Sequence, residues 1–514
     1  METWFLIVVT LATSFLIKSL VNLFSQPKNQ TQCLPPGPPK FPIVGSLVWL
    51  RKSFREFEST LGSLHKKLGP VITLYIGSRP TIFIADRSLA HQALIQSGAV
   101  FANRPPSSSI NKITNCNQHN ISSSFYGPTW RLFRRNVTSE IFHPSRVKSY
   151  SHARKWSLQI LFERLESQSK SGDHVVGVLG NFQFSMFCLL VLMCFGDQLD
   201  QKQIEEIERL ERGAIVNIHK LDKLNIMPRL TKILFRKSWS EFLQIQKQRE
   251  EALISLIRAR KKANEERRIN NSNDDYVVSY VDTLFDLQLP DERRKLTEKE
   301  MVALCNEFLN AGSDTTSTAL QWIMANLVKY PEIQEKLYME IIQVVGDGEK
   351  EVKEEDLHKM PYLKGVILEG LRKHPPGHFV LPHAVTEDIV LDKFMIPKNA
   401  TINFMVAEMG WDPKVWEDPM AFKPERFTGN DRNGEVFDIT GSREIKMMPF
   451  GVGRRMCPAY GLALLHLEYF VANLVSKFQW KAVDGDEIDL SEKLEFTTVM
   501  KNPLQALISP RFHN

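Results

Sequence analysis

The chain has 514 residues, 43% hydrophobic and 24% charged. That composition excludes a wholly disordered protein and allows a core large enough to enclose a cofactor. A formal charge of +6 without a long Lys/Arg block suits an acidic protein partner or an anionic membrane surface, and speaks against nucleic acid. Length alone suggests about three domains, with one large enzyme domain still allowed.

Trp4 to Phe24 is a strongly apolar run interrupted by Lys18, about long enough for one bilayer crossing. Glu2 is its only preceding charge, and no small-residue cleavage site follows, so an uncleaved anchor fits better than a signal peptide or a buried helix. Lys28, Lys40, Arg51 and Lys52 follow it, which places the bulk of the chain in the cytosol. Sequons beyond the anchor, such as Asn120, Asn136, Asn270 and Asn399, should then stay bare. The segment LPPGPPKFPIVG (34–45) excludes helix and central strand and reads as a stiff spacer. The expected organisation is an anchor over 1–25, a proline-rich hinge over 26–45 and a catalytic domain over 46–514.

The body opens with strand patterns at 71–77 and 81–86, then turns helical from about Ser88. Cys188 and Cys194 lie in the apolar run FQFSMFCLLVLMCF, where core packing outweighs chemistry. Residues 241–263 pattern as an exposed amphipathic helix, and NEERRINNSNDD after it as a polar loop. Long helices are expected at about 297–329, 361–373 and over LALLHLEYFVANLVSKF, with proline-punctuated irregular chain over 412–456. There is no βαβ rhythm and no GxGxxG after a strand, which argues against a dinucleotide fold. The six cysteines form no CxxC pair and the histidines no HExxH, so neither a zinc site nor a disulfide framework is indicated and a reducing compartment is expected.

Four segments carry chemistry. In PFGVGRRMCPAYG, Cys457 follows Gly451 and Gly453 and precedes a helix. Glycines allow tight turns with N–H groups near a sulfur, and a helix N-terminus favours a thiolate. A thiolate can ligate haem iron and promote O–O cleavage, with Phe450 against the macrocycle and Arg455 on a propionate. AGSDTTST (311–318) interrupts the helical preference of a long helix, so a local widening is expected there. Asp314 and Thr315 would deliver the protons that O–O scission needs. Glu369 and Arg372 share a helix face and can pair, and PERF supplies Arg426 downstream. Trp130-Arg-Leu-Phe-Arg134 offers indole and guanidinium donors suited to a carboxylate.

With these residues in register, the chain resembles the cytochrome P-450 superfamily, whose haem loop reads F-x-x-G-x-R-x-C-x-G. Phe450, Gly453, Arg455 and Cys457 match; the last glycine is Ala459 here. The resemblance implies a mainly α fold with a small β portion, preceded by one N-terminal transmembrane helix, and iron protoporphyrin IX (haem b) held by Cys457. It implies that Trp130, Arg134 and His383 reach the propionates with Arg455, and that Glu369, Arg372 and Arg426 form a buried network. A pocket lined by Phe101, Phe308, Ala311, Val380, Leu381 and Val499 is implied too, with polar chances at Asn306, Asn310 and His378.

Runs such as YGPTWRLFRRN, RKHPPGHFVLPHAV and INFMVAEMGWDP resemble the plant microsomal branch, family 89, subfamily A. That branch implies a monooxygenase on the endoplasmic reticulum membrane, using O2 and electrons from NADPH through a diflavin reductase. Arg131, Arg135, Lys446 and Arg454 would dock that reductase. The substrate would be a hydrophobic small molecule, with linear tetrapyrrole chlorophyll catabolites as a hint. Two rivals stand beside it: a haem-thiolate isomerase or dehydratase needing neither O2 nor reductase, and a non-catalytic membrane haem-binding protein. The intact Asp314-Thr315 pair argues against both.

Overall fold

Two separated stretches, Met1–Pro105 and Leu381–Met405, form one unit; Pro106–Val380 and Val406–Asn514 form the other. The computed structural model describes residues 10, 13–14, 34–38, 53–76, 79–171, 174–196, 199–218, 228–270, 277–346, 351–429, 437–483 and 487–511. The expected anchor, residues 10, 13 and 14 apart, lies outside the described residues, as does the expected hinge apart from 34–38.

The first unit begins with helix α1 (Phe54–Leu68), where the Ser53 side chain and Glu56 cap each other's backbone reciprocally. Its sheet has strands β1 (Val71–Tyr75), β2 (Pro80–Ile84), β3 (His383–Ala384) and β4 (Thr401–Phe404), in the order β1-β2-β4-β3. β1 and β2 are antiparallel with Val71 opposite Ile84, β2 and β4 are parallel, and β3 runs antiparallel to β4. The first two strands are the ones expected from alternating β-branched residues. The short β3 and β4, three hundred residues downstream, carry too little pattern of their own to be read from sequence. Among the described residues β1 is an edge strand, and the Pro36 carbonyl accepts from Thr73 N at 2.8 Å, pairing one donor on its outer side. A Cβ at Gly37 would stand 1.9 Å from the Thr73 carbonyl oxygen, so only glycine lets the proline segment lie this close.

The second unit is helical: α2 (Pro128–Glu140), α3 (Ser151–Lys170), α4 (Val178–Phe195), α5 (Gln201–Ile218), α6 (Arg236–Asn270), α7 (Glu298–Lys329), α8 (Pro331–Val345), α9 (Pro361–Lys373) and α10 (Tyr460–Lys477), with shorter helices between. A three-stranded sheet (Phe478–Lys481, Gln505–Pro510, Val175–Gly177) and a hairpin (Glu492–Leu494 with Thr498–Met500) complete it. Among the described residues α4 is the helix long and apolar enough to cross a membrane, yet it is almost wholly buried by protein. Its faces are predominantly apolar, and protein covers them as at the centre of a core. Cys188 and Cys194 are buried there, and burial pushes the Cys188 thiol up to about 12, which keeps it inert.

α4 packs along α7. Their close approach depends on Gly312, where a Cβ would meet Leu190 Cδ1 at 2.6 Å. α7 opens with a capping box between Thr297 and Glu300 and stays α-helical to its end. The local widening expected at AGSDTTST does not break it. The hydroxyls bond back one turn instead, Ser313 to Leu309 O at 2.7 Å and Ser317 to Ser313 O at 2.8 Å, which a helix tolerates. A second expectation changes as well: NEERRIN continues α6 as helix through Asn270. Buried Arg260 pairs with Asp282 at 2.8 Å and Asn264 donates to the same carboxylate at 2.6 Å, pinning a segment whose composition alone favours solvent.

Candidate active site

Cys457 lies between a glycine-shaped loop and α10. Gly451 and Gly453 have φ of +67° and +76°, the left-handed region that a side chain strains. Gly453–Arg455 forms a 3-10 turn, Met456 N donates to Gly453 O at 3.1 Å, and Cys457 N donates to Phe450 O at 2.8 Å. Ala459 has φ −102° and ψ 17°, which ordinary residues adopt, so the backbone makes no demand for glycine there. Burial pushes the half-buried Cys457 thiol up, while the Ala459 N–H and the Arg134 guanidinium pull the other way. The loop and helix end thus moderate the thiol without ionising it on their own. A coordinated cation is what turns such a sulfur into a thiolate.

α2 brings the W-x-x-x-R residues to this loop. Arg134 donates to Met456 O, the residue before the cysteine. The Arg455 guanidinium stacks 4.5 Å from the Trp130 ring centre and donates to Ile121 O at 3.1 Å and Ser124 O at 2.5 Å. Trp130 Nε1 is buried with no hydrogen-bond partner among the described residues. A buried indole donor left unpaired is unfavourable. An orphan donor beside two guanidinium groups and a cysteine fits the propionate edge of a haem. His383 belongs to the first unit, where its Nδ1 lies 2.7 Å from Phe101 O and its ring stands edge-on to Phe404.

On α7 the Asp314 carboxylate has, among the described residues, a single long hydrogen-bond contact, from Gln183 Nε2 at 3.5 Å. Burial raises its pKa, with Arg212 opposing and Glu495 adding to the rise. Gln183 in turn accepts from Arg212 NH1. These lie in a small polar cleft also lined by Glu208, Glu211, Asn310 and Ser313. Thr315 Oγ1 donates to Ala311 O at 2.6 Å. Gln183 and Arg212 were not singled out from sequence; the available signal was a glutamine inside an otherwise apolar helix.

Glu369, Arg372 and Arg426 are joined. Arg372 makes a bidentate pair with Glu369, both bonds 2.7 Å, and donates to Gly410 O at 2.7 Å. Arg426 Nε lies 3.3 Å from Glu369 Oε1, and Lys423 N donates to the same oxygen at 2.9 Å. Glu369 and Arg372 are 0% and 1% exposed, so every polar atom there must be answered by protein.

The expected pocket residues stand in different surroundings. Phe308 is buried in an aromatic stack with Tyr280 and Phe142, Val499 is buried in the C-terminal hairpin, and Ala311 is exposed on α7. Val380 is half-buried in the second unit, while Phe101 (buried) and Leu381 (exposed) belong to the first. Asn310 donates to Glu211 at 2.8 Å, and the buried Asn306 amide has neither end partnered among the described residues.

A mainly helical fold with a small sheet, in which a glycine-shaped loop presents one cysteine beside Trp130, Arg134 and Arg455, defines a haem-thiolate protein. The Cytochrome P450 family profile matches residues 35–509, and the chain belongs to that family. It is 51% identical to Cytochrome P450 89A9 of Arabidopsis thaliana over 99% of this chain and 98% of the relative. Geraniol 8-hydroxylase of Catharanthus roseus is 30% identical over 96% and 97% of the two chains. Isoflavone 2'-hydroxylase of Medicago truncatula is 29% identical over 93% and 92%. The fold is shared with a zebrafish cytochrome P450 solved with abiraterone, at a TM-score of 0.72 and 21% identity over 91% of this chain and 99% of that one. The protein is therefore a haem-dependent cytochrome P450 monooxygenase that uses O2 on a small-molecule substrate.

Proposed function

We propose that this monooxygenase inserts one oxygen atom from O2 into a hydrophobic plant metabolite, with electrons from NADPH passed through a diflavin reductase. In this reading it sits in the endoplasmic reticulum membrane by a single N-terminal span, its catalytic domain facing the cytosol. The gathering of Trp130, Arg134 and Arg455 around Cys457 carries the proposal. Cys457 holds the haem iron, Phe450 and Gly453 shape the loop, and Trp130, Arg134 and Arg455 serve the propionates. When bound, the haem supplies the activation of O2.

The chain's own part is to hold and move protons. Burial keeps the Asp314 carboxyl protonated to higher pH than an exposed aspartate, so it can retain a proton near α7. Thr315 rests on the Ala311 carbonyl and must turn from it to donate into the pocket. Glu369, Arg372 and Arg426 keep the cysteine-side frame rigid. The exposed Arg131, Arg135 and Arg454, with half-buried Lys446, offer a basic face for an acidic flavin domain. Linear tetrapyrrole chlorophyll catabolites are the first substrates to try, supported by the full-length similarity to a family 89 relative.

The test is reduction of purified protein under carbon monoxide, followed by NADPH-dependent turnover with the reductase. A strongly red-shifted Soret band that is lost in Cys457→Ser is expected. A Cys457→Ser variant that keeps the band overturns the ligand assignment. Product formed without NADPH favours an isomerase.

A further inference from the structure

Glu307 lies on α7, two turns before Asp314, and has no part in the chemistry described above. Its carboxylate accepts two consecutive backbone donors, Ile121 N at 2.7 Å on Oε2 and Ser122 N at 2.6 Å on Oε1. The same short stretch of chain turns its carbonyls the other way. Ile121 O and Ser124 O are the acceptors that hold the Arg455 guanidinium over Trp130. A continuous path therefore runs from α7 through Glu307 and the 121–124 loop to Arg455 and Trp130.

The loop is built to transmit position. Cys116, Asn117 and Gln118 take φ of 47°, 55° and 69°, three successive left-handed residues that cost strain outside glycine. Side chains pin that turn: Gln118 N donates to Asn115 Oδ1 at 2.9 Å, and Gln118 Nε2 donates to Ser123 O at 2.6 Å. Buried Ser124 donates to the Gln118 carbonyl at 2.6 Å. With the loop stiffened at its start, the carboxylate on α7 sets where its end, and hence Arg455, comes to rest.

We propose that Glu307 is a positioning residue that fixes the Arg455–Trp130 clamp on the haem propionates, and through it tunes haem retention and reduction potential. The inference rests on the haem-thiolate reading. Charge-assisted bonds from two N–H groups are worth more than neutral ones, and an amide in place of the carboxylate keeps one of them, weakened, and loses the other because its NH2 cannot accept. A looser Arg455 leaves a propionate less compensated, which disfavours the more negative ferrous state and lowers the potential.

The test compares full-length, haem-loaded wild type, Glu307→Gln and Arg455→Lys with the double variant. Glu307→Gln should release haem to apomyoglobin about three- to tenfold faster. Its ferric/ferrous midpoint should move negative, while the red-shifted carbon monoxide band, which reports Cys457, stays in place. In the Arg455→Lys background the same change should add little, because the two residues act on one path. A lowered Tm with unchanged haem release and potential overturns the proposal, as does full additivity of the two substitutions. Absence of the band in wild type instead defeats the haem-thiolate reading itself.

Discussion

The Glu369–Arg372–Arg426 cluster holds a fully buried ion pair and the Asp314–Thr315 pair is half-buried, and their polar groups are treated in opposite ways. Around Glu369 each carboxylate oxygen is answered by a guanidinium, and Lys423 N adds a backbone bond. Asp314 has one hydrogen-bond contact among the described residues, at 3.5 Å, and a pKa raised by burial. Saturated polar groups fix a geometry, because removing one partner leaves a buried charge. Under-satisfied groups keep a proton exchangeable. The frame is built to be still, and the carboxyl proposed to carry protons is left free to change state.

Breaking the frame should have the largest consequence. Arg372→Ala takes the bidentate partner from a fully buried carboxylate and leaves Arg426 and Lys423 N on one oxygen, at a cost of about 3–5 kcal/mol, so soluble yield and haem content should both collapse. A soluble, fully haem-loaded variant would erase the contrast. Thr315→Ala should do the reverse. It costs less than about 1 kcal/mol of stability, yet the product formed per NADPH should fall about a hundredfold, with peroxide in its place. Measuring coupling together with thermal stability separates the two effects.

Gly410→Ala probes the frame more gently. The new methyl would lie 2.7 Å from the Arg372 carbonyl oxygen, a backbone atom that cannot swing aside. A loss of about 1–3 kcal/mol is expected in denaturant melts, with turnover per haem unchanged. Glu468 on α10 extends the comparison beyond the site. Burial raises its pKa from 4.5 to about 7, with only Lys364 opposing. A raised carboxyl contributes stability below pH 4.5 that is lost as pH rises through about 7. Glu468→Gln should therefore match wild type at low pH and exceed it by roughly 2 kcal/mol at pH 8, read as a Tm difference that grows with pH.

Much of the site was legible because its signals are local. A cysteine after Gly451 and Gly453, a hydroxyl cluster inside a long helical pattern, and a Glu–Arg pair at one-turn spacing each announce a chemistry within a dozen residues. The long helices expected at about 297–329 and 361–373 are present as Glu298–Lys329 and Pro361–Lys373. The partners were not legible that way. Gln183, Arg212 and Glu307, and the carbonyls of Ile121 and Ser124, become relevant only where separate segments meet. NEERRIN read as loop because its composition favours water, and it is helical because Arg260 and Asn264 tie it to Asp282.

The sequence by itself determined which atoms can react and which stretches must be helix or be buried, since turn chemistry, periodicity and apolar content act over one or two turns of chain. Tertiary structure alone decided how each reactive group is answered: that Glu369 is saturated, that Asp314 is nearly bare, and that Arg455 rests on a loop held from α7. Those outcomes are set by distances of about 3 Å between residues up to several hundred positions apart, and no local pattern encodes them.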